Sequence, residues 1–258
     1  MDIRRTALVT GGSRGIGRGI AMAFAEAGYD VTIGHWQDDG QAAATAAVIR
    51  DRWGRDCHVV PGDLSDAATA TATAAEAIGR MGQIDVLVNN AGICLFDGIA
   101  EQSPDALDLL LMLNFRAPLL LMKEVSRHMI AAGIRGSLLN ITSSRAERAY
   151  RGDAVYGGLK AGLKRASESV ALDLAPHGIR VNCVAPGAIL VRAPSVFSDE
   201  LGPRIPLGRM GLPEDVGRIC VWLASESSAY VTGINLRADG GLILPGMPEG
   251  PEYSRRPW

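Results

Sequence analysis

Short apolar runs alternate with longer helical stretches along most of the chain. Thr6–Thr10, Asp30–Gly34, Cys57–Pro61, Ile84–Val88, Gly136–Ile141, Ile179–Val184 and Ile234–Ala238 read as strands. Between them, Ile16–Ala27, Gln41–Trp53, Asp66–Arg80, a stretch from Pro104 to about Ala132, Val155–Pro176 and Pro213–Ala224 read as helices. Strand and helix take turns with no break in composition. That order predicts an α/β fold: a single-domain, Rossmann-type, doubly wound parallel sheet with helices on both faces, spanning residues 1–244. Ser103 and Pro104 mark a helix start, as N-cap and first helical residue. The helix after them is apolar nearly all round in its middle, which predicts burial on both sides, the second side against another subunit. Residues 188–212 show no periodicity and are interrupted by proline and glycine, so a mobile loop is expected there. Residues 245–258 read as a proline- and glycine-rich tail.

The first strand runs into Thr10-Gly-Gly-Ser-Arg-Gly-Ile-Gly17 and then a helix. Strand, glycine turn and helix together bring backbone N–H groups and a helix N-terminus up to a pyrophosphate. Glycine turns end many strands, so the spacing alone says little. Its place at the start of a βαβ unit is what points to a dinucleotide.

Composition narrows the field without changing it. The chain has 258 residues, 47% of them hydrophobic, a formal net charge of -2 and a pI near 6.1. Nothing in that balance calls for nucleic acid or an anionic membrane as partner. Cys57, Cys94, Cys183 and Cys220 are scattered without metal-ligand or redox spacing, so they are expected to be reduced thiols in a cytoplasmic protein, and no metal site is expected. The N-terminus runs directly into an apolar strand without a signal-peptide core. The most apolar window, Leu109 to Met122, is interrupted by Asn114, Arg116 and Pro118 and is too short to span a bilayer.

The strongest chemical candidate is Tyr156-Gly-Gly-Leu-Lys160. Residues four apart share a helix face, so phenol and ammonium can point into one pocket. A free phenol, with a pKa near 10, is a poor acid or base at neutral pH. A fixed cation beside it favours the phenolate and is expected to lower that value. By itself such a pair also occurs on many solvated helix faces; a cofactor fold and a second polar group must surround it.

Thr10-Gly-Gly-Ser-Arg-Gly-Ile-Gly17, Asp63-Leu64, Asn89-Asn-Ala-Gly92, Asn114, Ser143, Tyr156 with Lys160, and Pro186-Gly187 fall in the order and spacing of the short-chain dehydrogenase/reductases, and the chain resembles that superfamily from Thr6 to Gly241. The resemblance implies that Tyr156 exchanges a proton with the substrate alcohol or carbonyl. It implies that Lys160 lowers the Tyr156 pKa and holds the nicotinamide ribose, and that Ser143 hydrogen-bonds the reacting oxygen. Asn114 would hold a water linking Lys160 to solvent; the plainer reading is a buried polar residue satisfied by a helix kink. Cofactor contacts would come from Gly11, Ser13, Arg14, Gly15, Ile16, Gly17, His35, Asp63, Leu64, Asn90, Ala91, Gly92, Tyr156, Lys160, Pro186, Gly187 and Ile189. The family often has Thr where this chain has Val191, which cannot donate a hydrogen bond; Ser195 or the backbone would have to substitute.

NAD-binding members carry an acidic side chain at the end of the second strand, where this chain has His35 and no carboxylate until Asp38. Arg14 stands where the family places a cation for a 2′-phosphate. The two together favour NADP(H), with NAD(H) also admitted; the plain alternatives are a solvated arginine and a surface histidine. Ile93, Cys94, Phe96, residues 145–151 and the 188–212 loop would line the substrate pocket. Arg145, Arg148, Arg151 and Arg192 are candidates for recognising hydroxyls or an acid group, or else solvated loop charges. Several stretches resemble the sugar and polyol dehydrogenases of the superfamily, so a small-molecule aldose or polyol is the expected substrate. A 3-oxoacyl thioester is the second candidate and a catalytically silent NADP(H)-binding regulator the third. The family resemblance implies a homo-oligomer, usually a tetramer.

Overall fold

The computed structural model describes residues 4–193 and 196–244. The expected tail and the Ser195 substitute for threonine lie outside them. The strands are β1 (Thr6–Val9), β2 (Asp30–His35), β3 (Cys57–Pro61), β4 (Val86–Asn89), β5 (Ser137–Ile141), β6 (Arg180–Pro186) and β7 (Asn235–Ala238). All pair in parallel, in the order β3-β2-β1-β4-β5-β6-β7. The helices are α1 (Gly15–Glu26), α2 (Asp39–Trp53), α3 (Ala67–Met81), α4 (Pro104–Leu111), α5 (Ala117–Ala132), α6 (Ala154–Leu174), α7 (Val196–Leu201) and α8 (Pro213–Ala224).

Alternation of side chains along each strand splits the core in two. Val9, Val88, Ile141 and Val184 point to one face and pack with Ile20 and Phe24 of α1 and Val216, Cys220 and Leu223 of α8. Their neighbours Leu8, Leu87 and Leu138, with Val181 of β6, point to the other, against the alanines of α3, Leu121, Val125 and Met129 of α5, and Leu174 of α6. Both faces of the central strands are therefore covered, which accounts for their continuous apolar sequence.

Two expectations need correction. The stretch 104–132 is not one helix: α4 and α5 are separated by a π-helical turn, Met112–Arg116. An extra residue in a turn displaces the local hydrogen-bond ladder, and such turns gather at functional sites. Asn114 sits inside this one. The 188–212 segment is not simply a loop either. It contains α7 and a 3₁₀ turn at Gly202–Arg204. A bridge between Ile189 and Gly211, with Leu190 N–H donating to Gly211 O at 2.8 Å and Gly211 N–H to Ala188 O at 2.9 Å, ties its base.

Candidate active site

Most of the residues singled out above follow the C-terminal ends of the strands, on both sides of the point where the sheet order reverses between β1 and β4. Gly11 and Gly15 have φ of 63° and 54°, a left-handed conformation that glycine adopts without strain. A side chain at Gly17 would collide with the Gly11 carbonyl and lie 2.5 Å from Asn90 Nδ2. Asn90 Nδ2 donates to Thr10 O (2.9 Å) and Gly11 O (3.2 Å), while Thr10 Oγ1 accepts from the N–H groups of Asn90 and Ala91, both at 3.0 Å. The end of β4 is thus stitched to the glycine turn. α1 begins with Ile16 in its first turn, no side-chain cap at Arg14 and no acidic residue. Its first N–H groups have no partner within the helix, and that donor set fits a pyrophosphate.

The turn after β2 corrects one reading and adds a residue. His35 is buried, not a surface histidine: its Nδ1 accepts from Asp38 N–H at 3.3 Å, and its Nε2 lies 3.7 Å from Asp39 Oδ1. It shapes the turn after β2, where Gln37 has a φ of 51°. Asp38, which sequence distance from β2 alone would dismiss, folds back to the glycine turn. Its Oδ2 accepts from Ser13 Oγ at 2.7 Å and stands 3.7 Å from Arg14 Nη1. Asp63 follows β3 and accepts from Ser65 N–H and Oγ through Oδ1; Leu64 beside it is buried.

The four candidate catalytic residues converge from β5, α6 and the π-turn. Ser143 and Tyr156 share a side-chain hydrogen bond. Lys160 is buried, with Nζ donating to Ile141 O at 2.9 Å and lying 5.7 Å from the Tyr156 ring centroid. Asn114 is fully buried, and its Nδ2 donates to Ile93 O (3.0 Å) and Leu110 O (3.2 Å). The kink does satisfy the amide nitrogen, but Oδ1 has no hydrogen-bond partner. A Cβ on Gly92 would stand 2.5 Å from that oxygen and 3.6 Å from Lys160 Nζ, so both polar atoms crowd one glycine.

Electrostatics here run against the simple expectation. Burial pushes the Tyr156 phenol up to about 12; Cys94 and Asp153 also raise it, while the Ser143 hydrogen bond and Arg145 oppose. Burial brings the Lys160 ammonium down to about 8. In the protein alone desolvation outweighs Arg145, the cation that lowers the value; the lowering expected from Lys160 does not prevail, and Tyr156 is held as a phenol.

On the far side of the pair, Gly187 N–H donates to Ala238 O at 3.1 Å and holds Pro186-Gly187 at the end of β6. Val191 is half exposed and lies over Gly15, 3.5 Å from where a Cβ would be, so it meets the glycine turn through apolar contact. Arg145 is no solvated charge: its guanidinium lies 4.4 Å from the ring centroids of both Phe96 and Tyr150, and Nη1 is 3.1 Å from Asp153 Oδ2. Among the described residues no group of three or more His, Cys, Asp or Glu side chains is placed to hold a metal ion, and no helix is long and apolar enough to cross a membrane.

A parallel seven-stranded sheet with a glycine turn after β1 and a Ser–Tyr–Lys set beside it defines a dinucleotide oxidoreductase, and comparison with known proteins agrees. Residues 11–243 match the family model described as enoyl-(acyl carrier protein) reductase. The chain belongs to the short-chain dehydrogenase/reductase superfamily and is one of its oxidoreductases. It is 36% identical to L-rhamnose 1-dehydrogenase (NAD(P)(+)) of Sphingomonas sp. (strain SKA58), over 93% of this chain and 96% of that one. It is 37% identical to the 3-oxoacyl-(acyl-carrier-protein) reductase FabG of Chlamydia pneumoniae, over 94% of this chain and 99% of that one. Among solved structures, the acetoin dehydrogenase YohF of Salmonella typhimurium superposes with a TM-score of 0.90 at 30% identity, covering 96% of this chain and 99% of that one.

Proposed function

We propose that this protein transfers a hydride between a nicotinamide cofactor and a secondary alcohol or carbonyl of an aldose or polyol, with Tyr156 as acid/base. The convergence of Ser143, Tyr156 and Lys160 beside a fitting dinucleotide turn carries the reading. The glycine turn, Asp63, Leu64, Asn90, Ala91, Gly92, Pro186, Gly187 and Ile189 would hold the cofactor, and Lys160 its ribose. Bound there, the nicotinamide supplies or accepts the hydride. Tyr156, held as a phenol, donates a proton to a carbonyl oxygen, and Ser143 donates a hydrogen bond to the same oxygen as charge develops on it. The unpartnered Asn114 Oδ1 beside Lys160 supports a water between them, through which the tyrosine's proton is replaced.

NADP(H) is the preferred cofactor in this reading, through Ser13 and Arg14, and NAD(H) is also used, because Asp38 stands beside both. The partly exposed Leu107, Leu109 and Leu111 of α4 support assembly into a homotetramer, and the four free thiols suit the cytoplasm. The FabG relative at 37% identity supports a second reading, reduction of a 3-oxoacyl thioester. A spectrophotometric screen of L-rhamnose, other aldoses and polyols, acetoin and one 3-oxoacyl thioester, with both cofactors, decides between them. The sugar reading requires the highest kcat/KM on an aldose or polyol. A preference for the thioester overturns it, and no turnover of any compound leaves the silent regulator.

A further inference from the structure

Hydride transfer as described makes no use of Arg145, two residues beyond Ser143. It nevertheless joins its own segment, which carries Tyr150 and Asp153, to the distant stretch that carries Phe96. Phe96 comes from the irregular stretch after β4, Tyr150 from the loop after β5, and Asp153 is the N-cap of α6, its Oδ1 accepting from Gly157 N–H at 3.2 Å. The guanidinium carbon lies 4.4 Å from the centroids of both rings, and Phe96 in turn meets Tyr156 edge to face, with centroids 5.8 Å apart. Asp153 is 2% exposed at its side chain, and its Oδ2, 3.1 Å from Arg145 Nη1, has no aligned hydrogen bond. That carboxylate therefore depends on the guanidinium as counter-charge. An isolated buried charge is far more costly than a paired one.

We propose that Arg145 is the positioning residue of the substrate side: it fixes the segment bearing Phe96 against the Tyr156 ring and neutralises the carboxylate buried at the start of the same helix. The groups facing the phenol are Cys94 from the stretch after β4, Ser143 and Arg145 from the end of β5, and Asp153 and Lys160 from α6. Of these, Arg145 and Asp153 oppose one another across the pair. Stacked guanidinium also gives what lysine cannot, a flat face for two rings at once.

The inference rests on Tyr156 being the acid/base, and it is tested without turnover. The phenol of Tyr156 is followed by ¹³C NMR of labelled tyrosine, its signal assigned by its loss in Tyr156→Phe, and residues 93–103 are followed by hydrogen exchange. In Arg145→Met the phenol should titrate at higher pH than in wild type, and exchange at 93–103 should speed up by about tenfold or more. Arg145→Met with Asp153→Asn removes both charges: the titration should return toward wild type while exchange stays fast. Arg145→Lys should keep the titration and lose the protection. These last two carry the test if the single Met variant does not fold. An unchanged titration and unchanged exchange in Arg145→Met overturn the proposal. So does a double variant displaced as far as the single one, or a Lys variant as protected as wild type. If Tyr156→Phe retained turnover, the proposed function would fall while these measurements still reported on the clamp.

Discussion

The two sides of the proposed active-site cleft are held together by different mixtures of forces. On the cofactor side the joints are backbone or amide hydrogen bonds: Gly12 N–H to Gly34 O, Asn90 to Thr10 and Gly11, and Gly187 N–H to Ala238 O. On the substrate side the stretch after β4 is held by an edge-to-face ring pair and a guanidinium, while the 188–212 excursion has backbone hydrogen bonds at its base. Backbone joints demand glycine and fixed spacing, whereas joints of ring and cation accept many combinations of side chain. The first side can thus stay constant while the second changes with substrate.

The difference is tested most sharply at Tyr156, which belongs to the substrate side although it stands on a rigid helix. Tyr156→Phe should lower kcat by about 10²–10⁴-fold, the usual worth of a positioned acid or base, while cofactor affinity stays within about twofold. Fluorescence titration with NADPH beside steady-state rates measures both. A matching loss of cofactor binding would show that the sides are not separable.

Lys160 sits at the seam, and its signature is in stability. Its folded value, about 8, lies below its ordinary 10.5. Between those values the unfolded chain binds more protons than the native one, so this lysine's contribution is fully present above pH 10.5 and lost as pH falls through 8. Lys160→Met removes that dependence. The variant should therefore gain stability on wild type by about 3 kcal/mol in going from pH 10.5 to pH 7, as an upper figure, read by urea unfolding at both ends. A pH-independent difference would mean the ammonium is not desolvated as its burial indicates.

Two smaller effects belong to the cofactor side alone. Arg14→Ala should weaken NADP(H) binding by about 1.5–3 kcal/mol and touch NAD(H) much less, since a charge-assisted hydrogen bond to phosphate is lost. Asp38→Asn should raise the NADP(H)/NAD(H) ratio of kcat/KM by about tenfold or less, because a carboxylate beside Ser13 and Arg14 opposes a second anion. If both ratios stay put, the phosphate is not read at this turn.

The same contrast explains what could be read from the sequence. The strands, their parallel pairing, α8 to the residue, and the Gly11–Gly17 turn were legible because periodicity and glycine spacing are local. The four-residue spacing of Tyr156 and Lys160 is local too, whereas Ser143 was expected only through the family resemblance. The π-turn at Met112–Arg116 was not, because its residues have the same helical preference as those around them. Asp38 was hidden by a turn that brings it back to Ser13, and the burial of His35 was not legible because a polar strand end does not announce it. Asp153 carried a local signal, an acidic residue just before a helix, that points to a cap and was passed over. Its pairing with Arg145 depends on the path of the irregular loop between them, and the place of Phe96 on a contact between distant segments.

The sheet order also sets a timetable for the growing chain. β1 can pair with β2 on one edge once residues to His35 have left the ribosome, but its other edge belongs to β4, where Ala7 meets Val86. At ~5–20 residues per second, the roughly eighty residues between them take roughly 4–16 s to make. For most of that interval an inner strand of the finished sheet is an outer one, apolar on both faces and unpaired along one side. A nascent chain stalled before residue 86 should therefore be the form that chaperones hold. The Asn90 stitch to Thr10 and Gly11 cannot close until that wait is over.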